Sequence, residues 1–207
     1  GIPEALEAIL YGRSVISPRV ALLKPVSSAI SIGSGGPFGA EGPIIMTGGA
    51  FGSIVAQRFH LSAAERKTLL VAGAAAGMSA TFASPIAAVL LAVELLLFEW
   101  KPRSLVPVAL ASAVAAALRP FLLEPGPLFP VAPHAAVRWT GLLAAALVGL
   151  AAGAFSSVVS GALYRLEDAF ERVPVHWMWR PAIGGLVVGF SGLIEPRALG
   201  VGYDVIA

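Results

Sequence analysis

The chain has 207 residues, of which 57% are hydrophobic and 13% charged, and its formal net charge is +2. A mean hydropathy of +0.83 lies outside the usual balance of soluble domains and indicates an integral membrane protein. The small net charge argues against a nucleic-acid partner, and the lack of cysteine excludes disulfides and thiolate metal sites.

The first residues predict a helix from Gly1 to Leu10. Pro3 is tolerated in a first turn, and Glu4 and Glu7 are favoured near the positive end of the helix dipole. No initiator methionine or signal peptide precedes this helix, and the chain ends just after an apolar segment. We therefore expect an internal fragment of a longer protein.

Helix-breaking residues interrupt the next apolar stretch. We expect breaks at Ser17-Pro18, at Lys24-Pro25 and at Gly33 to Gly39, before a further helix begins around Pro43. Helices that stop inside a membrane survive only where their free backbone groups are buried in protein or line a cavity. This region therefore predicts broken helices.

Two charge-free stretches are long enough to cross a bilayer, which takes roughly 20 apolar residues. They are Thr68 to Val93 and Trp139 to Tyr164. Shorter apolar pieces near Ser104 to Leu118 and Ala182 to Ile194 would span poorly alone. Cations fall at nearly every connector, so their order along the sequence sets no membrane orientation.

Glycine pairs recur at four-residue spacing, which lets helices approach each other closely. Ordinary helix packing is the expected role of Gly73 with Gly77, of Gly149 with Gly153 and of Gly185 with Gly189. The pair Gly35 and Gly39 differs, because it lies in the run GSGGPFGAEGP.

Glu41 lies in that run and is the sole formal charge between Pro25 and Gln57. An ionisable residue at membrane depth is functional by default. A glycine-rich turn that leads into a helix presents free N–H groups to an anion, although the run fits neither G-x-G-x-x-G nor a P-loop. A carboxylate beside such a site is a tethered anion that can occupy it and be displaced, so Glu41 is predicted to be a gate. The alternative is a carboxylate that caps its own helix.

These residues resemble the CLC family of chloride channels and chloride–proton antiporters. GAEGP at Gly39 to Pro43 is similar to the family's G-R/K-E-G-P motif, and GIPE at Gly1 to Glu4 resembles the end of G-S-G-I-P-E. Ala72 to Glu94 is similar to the next conserved block, and Lys24 stands where the family carries a buried lysine. The resemblance covers the whole chain.

The resemblance implies an all-α integral membrane protein with a CLC-like inverted-repeat fold of broken and re-entrant helices. Residues from about 1 to 120 would complete the first repeat, and residues from about 139 to 207 would begin the second. The protein would be a multi-pass homodimer of a prokaryotic plasma membrane, with one pore in each subunit. Chloride would be its substrate, without enzymatic activity, cofactor or metal.

Roles of individual residues also follow from the resemblance. Backbone amides of Gly39, Ala40 and Glu41 would form an outer anion site, and Gly1 and Ile2 would belong to a helix that points at a central site. The Glu41 side chain would be the gate. In an antiporter it would also be the outer proton acceptor.

Departures from the family pattern leave the transport mode open. Ala40 replaces the basic residue of the motif, which would weaken the focusing of anions. Leu95 follows Glu94 where antiporters commonly carry a proton-handling glutamate. Glu94 is therefore either a substitute proton site or a carboxylate that reaches interfacial water.

Two further expectations concern Lys24 and the part of the family pattern that this chain lacks. One expected role of Lys24 is to add positive potential to the anion path. The alternatives are that Lys24 pairs with Glu4 or that its side chain reaches an interface. The serine before Gly1, the later G-x-F-x-P loop and the pore-lining tyrosine lie outside this chain. The fragment alone is therefore not expected to conduct.

Other functional classes remain as alternatives. An intramembrane hydrolase would need a nucleophile such as Ser34 with a base at membrane depth, yet His60, His134 and His176 fall in polar or aromatic connectors. The same scatter of histidines argues against metal transport. A purely structural membrane subunit is the remaining alternative.

Overall fold

The computed structural model describes residues 1–59, 61–123, 126, 129 and 138–206. Regular structure in these ranges is entirely helical, as the sequence predicts. The chain divides into unit 1, which comprises Gly1–Pro130 and Glu195–Ala207, and unit 2, which comprises Val131–Ile194. The division into sequence repeats near residues 120 and 139 stays a prediction.

Unit 1 contains most of the helices, and unit 2 contains two long ones. In chain order the helices of unit 1 are α1 (Ile2–Leu10), α2 (Pro18–Gly33), α3 (Glu41–Arg58), α4 (Ala63–Phe82), α5 (Pro85–Ala92), which continues into a π-helical turn (Val93–Leu97), α6 (Pro102–Leu122) and the short α9 (Tyr203–Ile206). The helices of unit 2 are α7 (Trp139–Glu171) and α8 (Arg180–Ile194).

The predicted helix at the start of the chain is confirmed, but the predicted break at Lys24-Pro25 is wrong. Helix α2 begins at Pro18, with Ser17 in an extended conformation before it, and runs through Pro25 to Gly33. Hydroxyl groups of Ser27 and Ser28 donate to the carbonyl of Lys24, at 3.0 and 2.7 Å. These bonds add to the helical bond at the Lys24 carbonyl, whereas the missing N–H of Pro25 leaves the Ala21 carbonyl without its helical donor.

The charge-free stretch from Thr68 to Val93 is not one span. Helix α4 ends at Phe82. The next residue, Ala83, has a φ of +53° in the left-handed region, and Ser84 leads into Pro85. Proline disfavours a helical conformation for the residue before it, which explains the break. The sequence prediction of a continuous crossing is therefore wrong here.

Helices α6 and α7 are the two in the described ranges that are long and apolar enough to cross a membrane. Helix α7 confirms the span predicted from Trp139 to Tyr164. The piece near Ser104 to Leu118 is longer than predicted, because the 21-residue helix α6 begins at Pro102, where proline is favoured, and continues through Pro107. Helix α8 has 15 residues.

Helices α3 and α4 form the closest helix pair of unit 1. A Cβ atom added at Gly48 would overlap the carbonyl oxygen of Gly73, and one added at Gly52 would overlap that of Leu69. Gly77 likewise faces Ile44 of α3, at 3.0 Å from an added Cβ. The predicted packing role of Gly73 and Gly77 is confirmed. The pairs on α7 and α8 have no atom within 4 Å of an added Cβ among the described residues, so their role stays a prediction.

Helix α6 is tied to α4 and α5 by polar side chains rather than by apolar packing alone. The Ser79 hydroxyl donates to the Ser112 carbonyl at 2.8 Å, and the Ser112 hydroxyl donates to the Pro85 carbonyl at 2.9 Å. The Arg119 Nε donates to the Ala80 carbonyl at 3.0 Å. In an apolar surrounding, such bonds satisfy groups that would be costly to leave unpaired.

A polar clamp holds the turn between α1 and α2 against α3. The buried Ser53 hydroxyl accepts from the Ile16 amide and donates to the Ser14 carbonyl, both at 2.9 Å, and Gln57 donates to the Ile16 carbonyl at 2.9 Å. Ser14 has a φ of +58°, a conformation that costs energy in a non-glycine residue. The clamp therefore fixes where α1 lies relative to α3.

Candidate functional site

The N-termini of α1 and α3 meet at two glycines. A Cβ atom added at Gly42 would lie 3.2 Å from the Cα of Gly1, and one added at Gly1 would lie 3.5 Å from the Cα of Gly42. Each helix start carries unpaired N–H groups and the positive end of a helix dipole. The approach therefore concentrates partial positive charge at one place.

The loop that leads into α3 depends on a left-handed glycine. Gly35 has a φ of +94°, and its carbonyl accepts from the Gly200 amide at 3.0 Å. The Gly36 amide donates to the Ser31 carbonyl at 3.0 Å and the Phe38 amide to the Gly36 carbonyl at 2.8 Å. These bonds fold the loop back on the end of α2 and aim it into α3.

Four consecutive amide groups at the start of α3 have no acceptor. The N–H groups of Gly39, Ala40, Glu41 and Gly42 donate to nothing among the described residues. The first bond of the helix is the one from the Ile44 amide to the Ala40 carbonyl, at 3.1 Å. Free donors in a row at a helix N-terminus are suited to an anion.

The Glu41 carboxylate lies against Gly39. A Cβ atom added at Gly39 would overlap the Glu41 Oε2 and lie 3.0 Å from its Cδ. The carboxylate has no hydrogen bond or ion pair within the described part of the chain, and the side chain is exposed. A tethered anion therefore lies beside the free amides without being locked there.

Gly1, Lys24 and Gly39 line one polar cavity of about 400 Å³. Its wall includes Ser27 and Ser31 of α2. The structure thus brings three of the predicted site residues together. Ala40 lines a neighbouring, apolar cavity of about 440 Å³ between α2, α3 and α4, whereas Ile2 packs against the hydrophobic core.

Lys24 is paired. Its Nζ lies 2.7 Å from Glu4 Oε2 and 3.0 Å from Oε1, with 28% of the lysine side chain exposed. Of the roles expected from the sequence, the structure shows the pairing with Glu4. A contribution to the potential of an anion path stays a prediction, and the nearby carboxylate weakens that potential.

Glu94 lies near the start of α4, whereas Glu41 lies near the end of α4. Glu94 belongs to the π-helical turn after α5, an arrangement frequent at functional sites. Lys67, near the start of α4, donates to the Leu97 carbonyl of this turn at 3.2 Å. The Glu94 carboxylate is exposed and unpaired in the described ranges. The structure therefore does not bring the two predicted carboxylates together.

Sequence reasoning missed the serines of the polar cavity and missed Tyr203. The phenol of Tyr203 is close enough to Glu41 to interact with its charge. Its hydroxyl is buried without a hydrogen-bond partner among the described residues. The nearby sequence signal is the pair of glycines at positions 200 and 202, which adopt left-handed φ angles in the turn before Tyr203.

The described residues contain no cluster of three or more His, Asp or Glu side chains that could hold a metal ion. His176 accepts a hydrogen bond from the Met178 amide at 3.4 Å, as part of a turn. His60 and His134 lie outside the described residues.

Comparisons with known proteins identify one family for this chain. The chain matches the protein family described as voltage gated chloride channel over residues 1–207. It is 29% identical over 210 residues to a ClcB-like chloride channel protein of Ralstonia nicotianae, a match that covers all of this chain and 49% of the relative.

Exchange transporters are also among the relatives. The chain is 32% identical over 214 residues to the H(+)/Cl(-) exchange transporter ClcA of Salmonella paratyphi B and of Salmonella newport. Each match covers all of this chain and 45% of the relative. The chain thus spans about half the length of the curated relatives it matches.

Proposed function

The chain belongs to the voltage-gated chloride channel family, and from that premise we propose that its protein moves chloride across a membrane. The observation that carries the proposal is the row of four free amides from Gly39 to Gly42, beside the start of α1. Chloride there would replace part of its hydration shell with fixed N–H donors. Relatives named as chloride channel and as chloride exchanger support this choice of anion.

Transport requires an anion to leave as readily as it arrives. Helix N-termini provide partial charges of roughly half a unit, rather than a full cation. Lys24 is the nearest full cation that lines the polar cavity, and Glu4 neutralises it at 2.7 Å. The site therefore attracts an anion with a modest field, which favours release.

Glu41 is the gate of this proposal. Its carboxylate lies against Gly39, beside the donors that chloride would use. Chloride binds those donors when the carboxylate swings away from them, or when a proton removes its charge and with it the repulsion of the chloride. The exposure of the side chain and its lack of a locking partner among the described residues permit both.

Proton-coupled exchange is the second candidate. Glu94 favours it, because an unpaired carboxylate on a π-helical turn at the far end of α4 provides a second titratable group. Protons would then move between Glu94 and Glu41, which would be the outer acceptor. Leu95 adds no titratable group beside Glu94, so Glu94 itself would have to serve.

The membrane location, the oligomeric state and the complete fold of the protein belong to the same proposal. The protein is a multi-pass homodimer of a prokaryotic plasma membrane, with an inverted-repeat fold of broken and re-entrant helices and a pore in each subunit. The apolar helices α6 and α7 support the membrane location, and the break between α4 and α5 supports a fold with broken helices. The homodimer and the inverted repeat rest on the family alone.

Flux measurements test the proposal. The intact protein that contains this chain is reconstituted in liposomes, and chloride and proton fluxes are recorded together for wild type, Glu41→Gln and the control Glu7→Gln. Glu7 is an exposed carboxylate of α1 outside the site. We expect Glu41→Gln to change chloride flux and abolish any proton flux, and Glu7→Gln to match wild type. Unaltered fluxes in Glu41→Gln would contradict the proposal.

A further inference from the structure

Two adjoining cavities lie beside the C-terminal end of α3, away from the chloride site. One is polar, has a volume of about 500 Å³ and is lined by Gln57, Leu61 and Arg66 among others. The other is apolar, measures about 400 Å³ and includes Ile54, Val55 and Arg58 in its wall. Both include Gln57 and Phe59, so the two compartments are in contact.

Arg66 is a fixed cation in the polar compartment. Its Nε donates to the Arg13 carbonyl at 3.2 Å and its Nη1 to the Leu61 carbonyl at 2.8 Å. These bonds hold the guanidinium in place, while Nη2 has no partner within the described ranges. Neither Arg66 nor Arg58 forms an ion pair with a described carboxylate, so two positive charges remain uncompensated.

The apolar compartment runs along an exposed face of α3. Val55, in the last turn of α3, and Phe59, which directly follows the helix, both line this compartment and are 50% and 62% exposed. Pro18, at the start of α2, lines the same groove. An apolar groove therefore begins at the two arginines and extends along the helix.

Charged and aromatic residues near this groove indicate how deep it lies in the membrane. The end of unit 1 where α3 ends and where α4 and α6 begin also carries Lys67, Lys101 and Arg103. Trp100 at this end is 68% exposed. Exposed tryptophan and a concentration of cations mark a membrane–water interface.

We propose that the two cavities bind one anionic phospholipid, with its phosphate at Arg66 and Arg58 and an acyl chain along Ile54, Val55 and Phe59. Basic pockets between membrane helices recognise anionic headgroups in this way. A soluble anion would leave the apolar groove empty, and a zwitterionic lipid would bring a cationic headgroup close to both arginines. The combination selects a ligand with an anionic head and an apolar tail.

Lipid binding to the intact protein tests this site. The purified protein is titrated with phosphatidylglycerol or phosphatidylcholine and bound lipid is counted by native mass spectrometry, for wild type, Arg66→Gln, Val55→Glu and Arg103→Gln. Arg103 is the matched control, because its removal costs the same charge at the same end of unit 1 but outside both cavities. Val55→Glu keeps the carbonyl bonds of Arg66 and puts a carboxylate where the acyl chain would lie, so it tests the site even if Arg66→Gln folds poorly.

We expect one phosphatidylglycerol per subunit, preferred over phosphatidylcholine. The affinity should fall about tenfold in Arg66→Gln, as for loss of one charge-assisted contact, and at least as much in Val55→Glu, which places a carboxylate beside Arg58 and the acyl chain. It should stay unchanged in Arg103→Gln. Equal binding of the two lipids, an equal loss in Arg103→Gln, or no loss in Val55→Glu would overturn the proposal. So would displacement of the lipid by an equal concentration of glycerol phosphate, which would identify a site for soluble anions.

Discussion

Gly39 has no side chain, and the Glu41 carboxylate occupies the space that a Cβ atom would fill. The backbone of Gly39 is not in the left-handed region, so glycine is not required there by conformation. Its absence of a Cβ matters because it lets the carboxylate lie beside the free amides. Gly39, two residues before the gate, therefore sets where the Glu41 carboxylate lies.

Gly39→Ala should displace the Glu41 carboxylate without unfolding the protein, because the clashing atoms belong to a flexible side chain. We expect chloride flux in liposomes to rise and to depend less on pH than in wild type. Gly33→Ala is the matched control, since nothing lies within 4 Å of an added Cβ there. Identical flux and pH profiles for both variants and wild type would refute this role of Gly39.

Glu99 shows how a carboxylate behaves when it is firmly paired, unlike Glu41. Lys101 Nζ lies 2.8 Å from its Oε2, and the Ser104 hydroxyl donates to Oε1 at 2.6 Å. These partners, Lys101 above all, lower the pKa of Glu99 from 4.5 to about 2. The charged form is therefore favoured in the folded state.

This lowered pKa predicts a pH dependence of stability. A carboxylate with a depressed pKa stabilises the fold above its unfolded pKa, and this contribution is lost as the pH falls through the folded one. The thermal unfolding temperature of wild type should exceed that of Glu99→Gln at neutral pH, and the gap should close between about pH 4.5 and 2. A gap that is constant over this window would contradict the prediction.

At the level of elements, the α3–α4 contact positions the gate, because α3 carries Glu41 at its first residue. Gly73→Ala would push a Cβ into the Gly48 carbonyl, where only backbone can yield. Overpacking of this kind costs about 1–3 kcal/mol. We expect a lower unfolding temperature in detergent for Gly73→Ala.

Gly49→Ala provides the comparison for that variant. It makes the same change at the same helix pair, where the nearest atom to the added Cβ is Cδ2 of the flexible Leu70 side chain, at 3.3 Å. Its unfolding temperature should fall less than that of Gly73→Ala, because a side chain can move where a backbone carbonyl cannot. Equal destabilisation by the two substitutions would show that close packing at Gly73 is not the cause.

For the molecule as a whole, helix starts and carboxylates were predictable from the sequence, and the path of the chain through prolines was not. Helix α1 and the loop before Glu41 follow from glycine, proline and charge placement. Helix α2 continues through Pro25 because its remaining backbone bonds and its packing on α3 outweigh the one bond that proline removes, a balance that the sequence alone does not show. The break at Ala83 is marked in the sequence by Ser84-Pro85, but the lack of charge around this dipeptide led to the prediction of one span.

The candidate site was also only partly predictable, because a sequence shows local motifs but not contacts between distant residues. Motif spacing identified Glu41 and its neighbouring amides, which are local features. The contact of Gly42 with Gly1 and the pairing of Lys24 with Glu4 join distant residues, so they required the tertiary structure. Tyr203 is more distant still in the chain and was not foreseen.

The central claim is that an anion and the Glu41 carboxylate compete for the amides of Gly39 to Gly42. Its most direct test is the anomalous scattering of bromide in crystals of the intact protein, with wild type compared to Glu41→Gln. We predict a bromide peak within hydrogen-bond distance of these amide nitrogens in Glu41→Gln, and a weaker peak or none there in wild type. Absence of bromide from these amides in Glu41→Gln would contradict the account.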